Sequence, residues 1–257
     1  MKRMRFLMGF AVILFAVAFV DQRKPVLHTI GDSTVRNANK ETWGWGTPIA
    51  ALFDTTRIDV ENNAMAGRST RTFLSEGRWD KVLQSLKPGD FVTMQFGHNE
   101  GSVPDTTKSG RRGVLRGTGE EIKVLTWPDG RVETVHTYGW YLRKFVRETL
   151  AKGAMPILVS MIPRNQFEDG KVRRASNDFG KWAAQVAREE NIDFVDLNSI
   201  VADQYDAMGP EKVKAFFPGD HTHTNLEGAK LNALLVVQGI KALKDCPLKQ
   251  YLLKVSR

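Results

Sequence analysis

Five short apolar runs rich in β-branched residues, at 26–30, 57–61, 91–96, 157–162 and 194–197, recur along the chain with helix-period stretches between them. Several are apolar on both faces, as strands of a parallel sheet covered on both sides must be. Tyr138, Tyr141, Leu142, Phe145, Val146 and Leu150 fall on one helical stripe. They predict a helix over 138–152, with Thr137 as its cap and Gly153 as its stop. Phe179, Trp182, Ala183, Val186 and Ala187 predict another over 178–190. Leu226, Ala229, Ala233, Val236, Val237, Ile240 and Leu243 predict a third over 225–243. Strand–helix alternation of this kind specifies an α/β fold with an open, doubly wound sheet. In such a sheet the reactive groups gather beyond the carboxyl ends of the strands.

A chain of 257 residues is long enough to build one large core. Its 42% hydrophobic content, with six Trp and fourteen Phe spread along it, excludes a disordered chain. Cys246 is the single cysteine, so no internal disulfide can form and no zinc ribbon can be built. Lys2, Arg3 and Arg5 precede an uncharged run over 6–20 that contains Ala16-Val17-Ala18. That order is the order of a secretory signal, and fifteen apolar residues are short for a bilayer span. The expectation is a signal peptide over 1–20, one domain over 21–257, export, and no membrane segment after cleavage. Three of the eight excess positive charges leave with such a leader. The remaining bias calls for an anionic partner, and export turns that reading away from nucleic acid.

One stretch interrupts the alternation. Residues 101–135 are rich in Gly, Arg and Thr and carry Arg111, Arg112, Arg116 and Arg131. Within them, 122–126 and 131–135 flank Pro128-Asp129-Gly130 and predict a β-hairpin. An insertion of this length in a single domain is usually a lid or a binding surface.

Five segments stand at strand ends or before the last helix. They are Gly31-Asp32-Ser33-Thr34, Asn63 to Ser69 around Gly67, Gly97-His98-Asn99-Glu100, Met161 to Asn165, and Gly219-Asp220-His221-Thr222-His223. A serine nucleophile needs a base, a group that orients the base, and donors aimed at the developing oxyanion. Ser33 on a turn after a strand can expose its hydroxyl, although serines there often only cap helices. Asp220 and His223, three apart, can bond through one imidazole nitrogen and leave the other for Ser33. Gly67 can bring its N–H against a ligand, and Asn99 offers a side-chain NH₂ donor. Asp220, His221, His223 and His98 also invite a metal reading, in which bound zinc makes hydroxide. That reading lacks a second ligand cluster and leaves Ser33 without a role, so neither metal nor cofactor is expected.

The order Gly31-Asp32-Ser33, Gly67, Gly97-His98-Asn99, Asp220-x-x-His223 resembles the four blocks of the SGNH/GDSL hydrolases. The closer likeness is to their rhamnogalacturonan acetylesterase branch. It is carried by Gly31-Asp32-Ser33-Thr34, by Pro218-Gly219-Asp220-His221-Thr222-His223-Thr224-Asn225, by the segment His136 to Leu142, and by Pro163-Arg164-Asn165. The resemblance spans about 26 to 243 and departs at Glu100, where that branch commonly has Asp.

What the resemblance implies is a flavodoxin-like, three-layer α/β/α sandwich with a five-stranded parallel sheet and an inserted hairpin. It also implies a serine esterase that removes acetyl groups from acidic pectic polysaccharide. Ser33 is then the nucleophile, His223 the base and Asp220 its partner, with Ser33 N–H, Gly67 N–H and Asn99 as oxyanion donors. His221 has no catalytic role and faces solvent. Arg111, Arg112, Arg116 and Arg164 are candidate contacts for galacturonate carboxylates, since a guanidinium matches a carboxylate in two hydrogen bonds. The alternatives are an esterase for acetylated xylan or small glycosides, and a non-catalytic carbohydrate-binding protein, against which the intact Ser33, Asn99, Asp220 and His223 set argues.

Overall fold

A computed structural model of the chain describes residues 23–37 and 41–253; the expected signal segment 1–20 lies outside them. The order of elements is β1 (Val26–Gly31), β2 (Asp59–Asn62), α1 (Thr70–Ser75), α2 (Arg78–Ser85) and β3 (Phe91–Gln95). There follow β4 (Ile122–Thr126), β5 (Val132–His136), α3 (Tyr138–Ala151), β6 (Met155–Val159), β7 (Phe167–Glu168) and β8 (Lys171–Val172). The chain closes with α4 (Phe179–Glu189), β9 (Asp193–Val195), α5 (Leu197–Met208), α6 (Pro210–Lys214) and α7 (Leu226–Ala242).

Five strands form one parallel sheet in the order β2-β1-β3-β6-β9. This is the flavodoxin-like order, with the reversal between β1 and β3. Side chains alternate across it with the two-residue period of a pleated strand. Leu27, Phe91, Ile157 and Val159 point to one face, where Val201, Tyr205, Val236 and Ile240 of α5 and α7 cover them. Ile30, Val92, Met94 and Leu158 point to the other, under Phe73, Trp79, Phe145 and Val186 of α1 to α4. The three-layer α/β/α sandwich is therefore present.

The helices begin where their caps allow. The Thr137 side chain accepts from Trp140 N–H at the start of α3, and the Asn225 side chain accepts from Gly228 N–H at the start of α7. Each satisfies one of the backbone donors a helix start leaves open. β6 ends not at 162 but at Val159, where its ladders stop: with β3 at Leu158 and with β9 at Val159. The Ser160 hydroxyl there donates to Asp196 Oδ1 and accepts from Asn198 N–H, closing the end of the sheet instead. Leu197, expected at the end of a strand, is the first residue of α5.

The insertion forms its own antiparallel pair, β4 with β5, unconnected to the main sheet. Arg131 belongs to the turn and not to β5: its N–H donates to Asp129 Oδ1 and its C=O accepts from Trp127 N–H. One anchor ties the hairpin to the body. Arg71 on α1 is 1% exposed and makes a two-pronged bond to Glu133 of β5, 2.8 Å at each prong. Its remaining NH₂ donates to the carbonyls of Gly110 and Gly113. A buried guanidinium needs this full set of acceptors.

Candidate active site

The first three strand ends, β2, β1 and β3, are neighbours in the sheet, so the loops that follow them meet at its carboxyl edge. After β1, the Asp32 carbonyl accepts from Val35 N–H and Arg36 N–H, bending the chain into a turn with Ser33 at its tip. Gly31 permits the bend, since a Cβ there would lie 2.4 Å from the Gln95 carbonyl oxygen. Asp32 Oδ1 accepts from Thr34 N–H at 2.8 Å and from the Thr34 hydroxyl at 2.7 Å. The Thr34 hydroxyl in turn accepts from Gln95 Nε2, whose Oε1 accepts from Trp45 Nε1. This buried chain of polar groups fixes the serine turn against β3. Sequence reading passed over Gln95, although an amide at the end of an otherwise apolar strand was the available signal.

The loop before α7 supplies the histidine. Asp220 Oδ1 accepts from Thr222 N–H and His223 N–H, which curls residues 220–223 into a tight turn. The curl brings His223 Nδ1 to 2.7 Å from Asp220 Oδ2, and His223 Nε2 to 2.8 Å from Ser33 Oγ. An ionised carboxylate only accepts, so the ring proton resides on Nδ1 and Nε2 is free to take the serine proton. Partial burial works to raise the Asp220 pKa, but hydrogen bonds from the His223 ring, His223 N–H and Thr222 N–H outweigh it and bring it down to about 2. A short brace holds both loops. Trp43 bridges Thr224 on one side, while Trp45 N–H donates to Thr34 C=O and Gly46 N–H to Val35 C=O on the other.

The two other expected donors, Gly67 and Asn99, lie in the loops that follow β2 and β3. Gly67 has φ of +74°, in the left-handed region that glycine enters without strain, and open space where a Cβ would be. Asn99 uses one N–H of its amide on Arg68 C=O at 3.1 Å, and its Oδ1 accepts from Arg112 Nη1 at 3.1 Å. Its second amide hydrogen remains for another acceptor. Glu100, next in sequence, is 1% exposed and accepts from Thr70 N–H and Asn99 N–H. Burial, then the nearby Asp32, push its pKa up to about 8.

The four arginines separate. Arg112 supports Asn99, and Arg116 lies 5.0 Å over the Trp182 ring. Arg164 Nη1 stands 3.0 Å from His221 Nε2, at a cleft that it lines with Met161, Pro163, Gln166, Arg173 and Arg174. Arg111 is exposed on the insertion, and His221 is exposed as expected. Among the described residues, no three or more His, Cys, Asp or Glu side chains converge as a metal site.

The model of the GDSL-like lipase/acylhydrolase family matches residues 29–231. A rhamnogalacturonan acetylesterase of Emericella nidulans is 34% identical over 80% of this chain and 81% of its own length. The rhamnogalacturonan acetylesterase RhgT of Bacillus subtilis is 29% identical over 91% of this chain and 97% of its own. Among solved structures, the YxiM protein of Bacillus subtilis superposes with a TM-score of 0.68 at 25% identity. The match covers 85% of this chain and 56% of that one, so the chain spans little more than half of it.

Proposed function

The chain belongs to the GDSL-like lipase/acylhydrolase family and is a carboxylic ester hydrolase; from this premise we propose that it removes O-acetyl groups from an acidic pectic polysaccharide, rhamnogalacturonan. The observation that carries the chemistry is the hydrogen-bonded chain Ser33 Oγ, His223, Asp220. His223 Nε2 takes the Ser33 proton as Oγ attacks the acetyl carbonyl, and Asp220 stabilises the imidazolium. The developing oxyanion is held by Ser33 N–H, Gly67 N–H and the second amide hydrogen of Asn99, each worth about 3–4 kcal/mol in such sites. The sugar alkoxide leaves with the proton from His223. Water, deprotonated by the same nitrogen, then attacks the acetyl-serine and releases acetate.

The acidic substrate is supported by the relatives' printed activity and by the arginines. Arg164 bonds His221 beside the catalytic turn and Arg112 bonds Asn99, while Arg111 and Arg116 add positive charge on the insertion. We also propose export, for which the leader-like 1–20 is the support. Acetate release from acetylated pectin, acetylated xylan and small acetylated glycosides tests the substrate. Fastest release is expected from the pectic polymer; faster release from xylan overturns the substrate, and no release from any overturns the activity.

A further inference from the structure

Glu100 is a buried carboxyl group with no cationic partner among the described residues, an expensive way to make two hydrogen bonds unless their placement matters. Its Oε1 accepts from Thr70 N–H at 2.8 Å and its Oε2 from Asn99 N–H at 2.9 Å. Thr70 opens α1, three residues after Gly67, so the two oxygens grip two different loops. The Asn99 side chain makes a second cross-link between the same loops through Arg68 C=O at 3.1 Å. Gly67 and Asn99 are the two donors that do not ride on the serine turn, and these bonds set the distance between them.

We propose that Glu100 is a positioning residue for the oxyanion site, its carboxyl group clamping the Asn99 loop to the Gly67–Thr70 segment. This rests on the reading of Ser33 as nucleophile and of Gly67 and Asn99 as donors. The clamp also suits the charge that the site must hold. An ionised carboxylate beside the donors would repel the oxyanion, a cost that a neutral carboxyl group does not carry. Burial and the charge of Asp32 on the β1 turn favour the neutral form and outweigh the backbone N–H groups, which favour the ionised one; the Tyr138 phenol of α3 is the other titratable group nearby. The Tyr138 hydroxyl itself donates to Phe96 C=O at 3.0 Å. From α1 the Thr70 N–H faces it.

Two kinds of variant test the clamp. Glu100→Gln keeps the shape but replaces one acceptor with an NH₂ that cannot accept; Glu100→Asp keeps the carboxyl group but withdraws it by one methylene. Thr70→Pro leaves Glu100 intact and deletes the N–H that it grips, together with a buried hydroxyl that makes no hydrogen bond. Proline is tolerated at the first helical position, and Ser69 already has the extended backbone a residue before proline requires. Steady-state kinetics with 4-nitrophenyl acetate should show kcat reduced about 10- to 100-fold in each variant and KM within about twofold, below the 10²–10³-fold loss of a whole donor. Near-UV circular dichroism reports the fold, and if a Glu100 variant fails to fold, Thr70→Pro alone decides. Folded variants with kcat within threefold of the parent, or with the loss mainly in KM, overturn the clamp. Ser33→Ala runs alongside: an inactive Ser33→Ala with unaffected Glu100 and Thr70 variants sinks the clamp only. An active Ser33→Ala sinks the nucleophile reading and the clamp with it.

Discussion

Thr224 and Trp43, 181 residues apart, hold each other through two hydrogen bonds: Trp43 N–H to Thr224 C=O at 2.7 Å, and the Thr224 hydroxyl to Trp43 C=O at 3.0 Å. This pair joins the His223 loop to the strip that braces the Ser33 turn. Thr224→Val removes the hydroxyl bond at nearly constant volume. It should cost about 1 kcal/mol of stability, read as a lowered urea midpoint. The same variant should lower kcat with KM unchanged, because the Ser33–His223 contact loses part of its support.

The two histidines of the 220–223 turn should behave differently. Ser33→Ala and His223→Ala should each lower kcat about 10⁴-fold or more. His221→Ala removes a partner of Arg164 at the surface. It should stay within about threefold of the parent, in line with a surface change of about 0.5 kcal/mol. If His221→Ala is the inactive one, the base has been misassigned.

Asp220 is held to about 2 from an ordinary 3.8, so the folded chain loses protons from this site more readily than the unfolded one. Its contribution to stability is complete above about pH 4 and is lost as pH falls through about 2. Asp220→Asn should flatten the stability curve in that acid window. Thermal melts between pH 5 and pH 2 measure it, and parallel curves for parent and variant would contradict the origin of the shift.

Glu100 runs the other way. Its pKa rises from 4.5 to about 8, so its contribution is complete below about pH 4.5 and is lost as pH rises through 8. In melts between pH 5 and pH 9, Glu100→Gln should show a shallower alkaline decline than the parent. Asp32 and Tyr138, the titratable groups around it, are unchanged in that variant, so the difference in slope belongs to Glu100.

The Arg71–Glu133 pair gives a prediction of larger size. Glu133→Ala leaves a guanidinium that is 1% exposed with carbonyl acceptors but no counter-charge. Breaking one side of such a buried pair costs about 3–5 kcal/mol. Removing Glu190 from the exposed Arg147, by contrast, should cost about 0–1 kcal/mol. Urea denaturation of both variants checks the contrast.

The alternation of apolar strands and periodic helices was enough to read the sheet, α3, α4 and α7, because each has one face fully committed to the core. Helices α1 and α2 escaped, since they are short and start from caps and turns at Ser69 and Gly77 rather than from a long stripe. The end of β6 escaped for another reason: Met161 and Ile162 prolong the apolar run, and only its ladders with β3 and β9 show where pairing stops. Ser33, Asp220 and His223 were legible as spaced blocks. Glu100 was visible only as a departure from a pattern, because its two partners, Thr70 N–H and Asn99 N–H, are backbone groups that side-chain identities do not reveal.

The Ser33–His223 contact closes over 190 residues of sequence. A chain emerging from the ribosome therefore exposes its serine turn long before His223 exists to draw the proton from it. Reactivity arrives late, with the stretch that leads into α7, when nearly the whole sheet is already out. Whatever esters surround the nascent chain are safe from it until synthesis is almost complete, and a truncated product carries the hydroxyl without the means to use it.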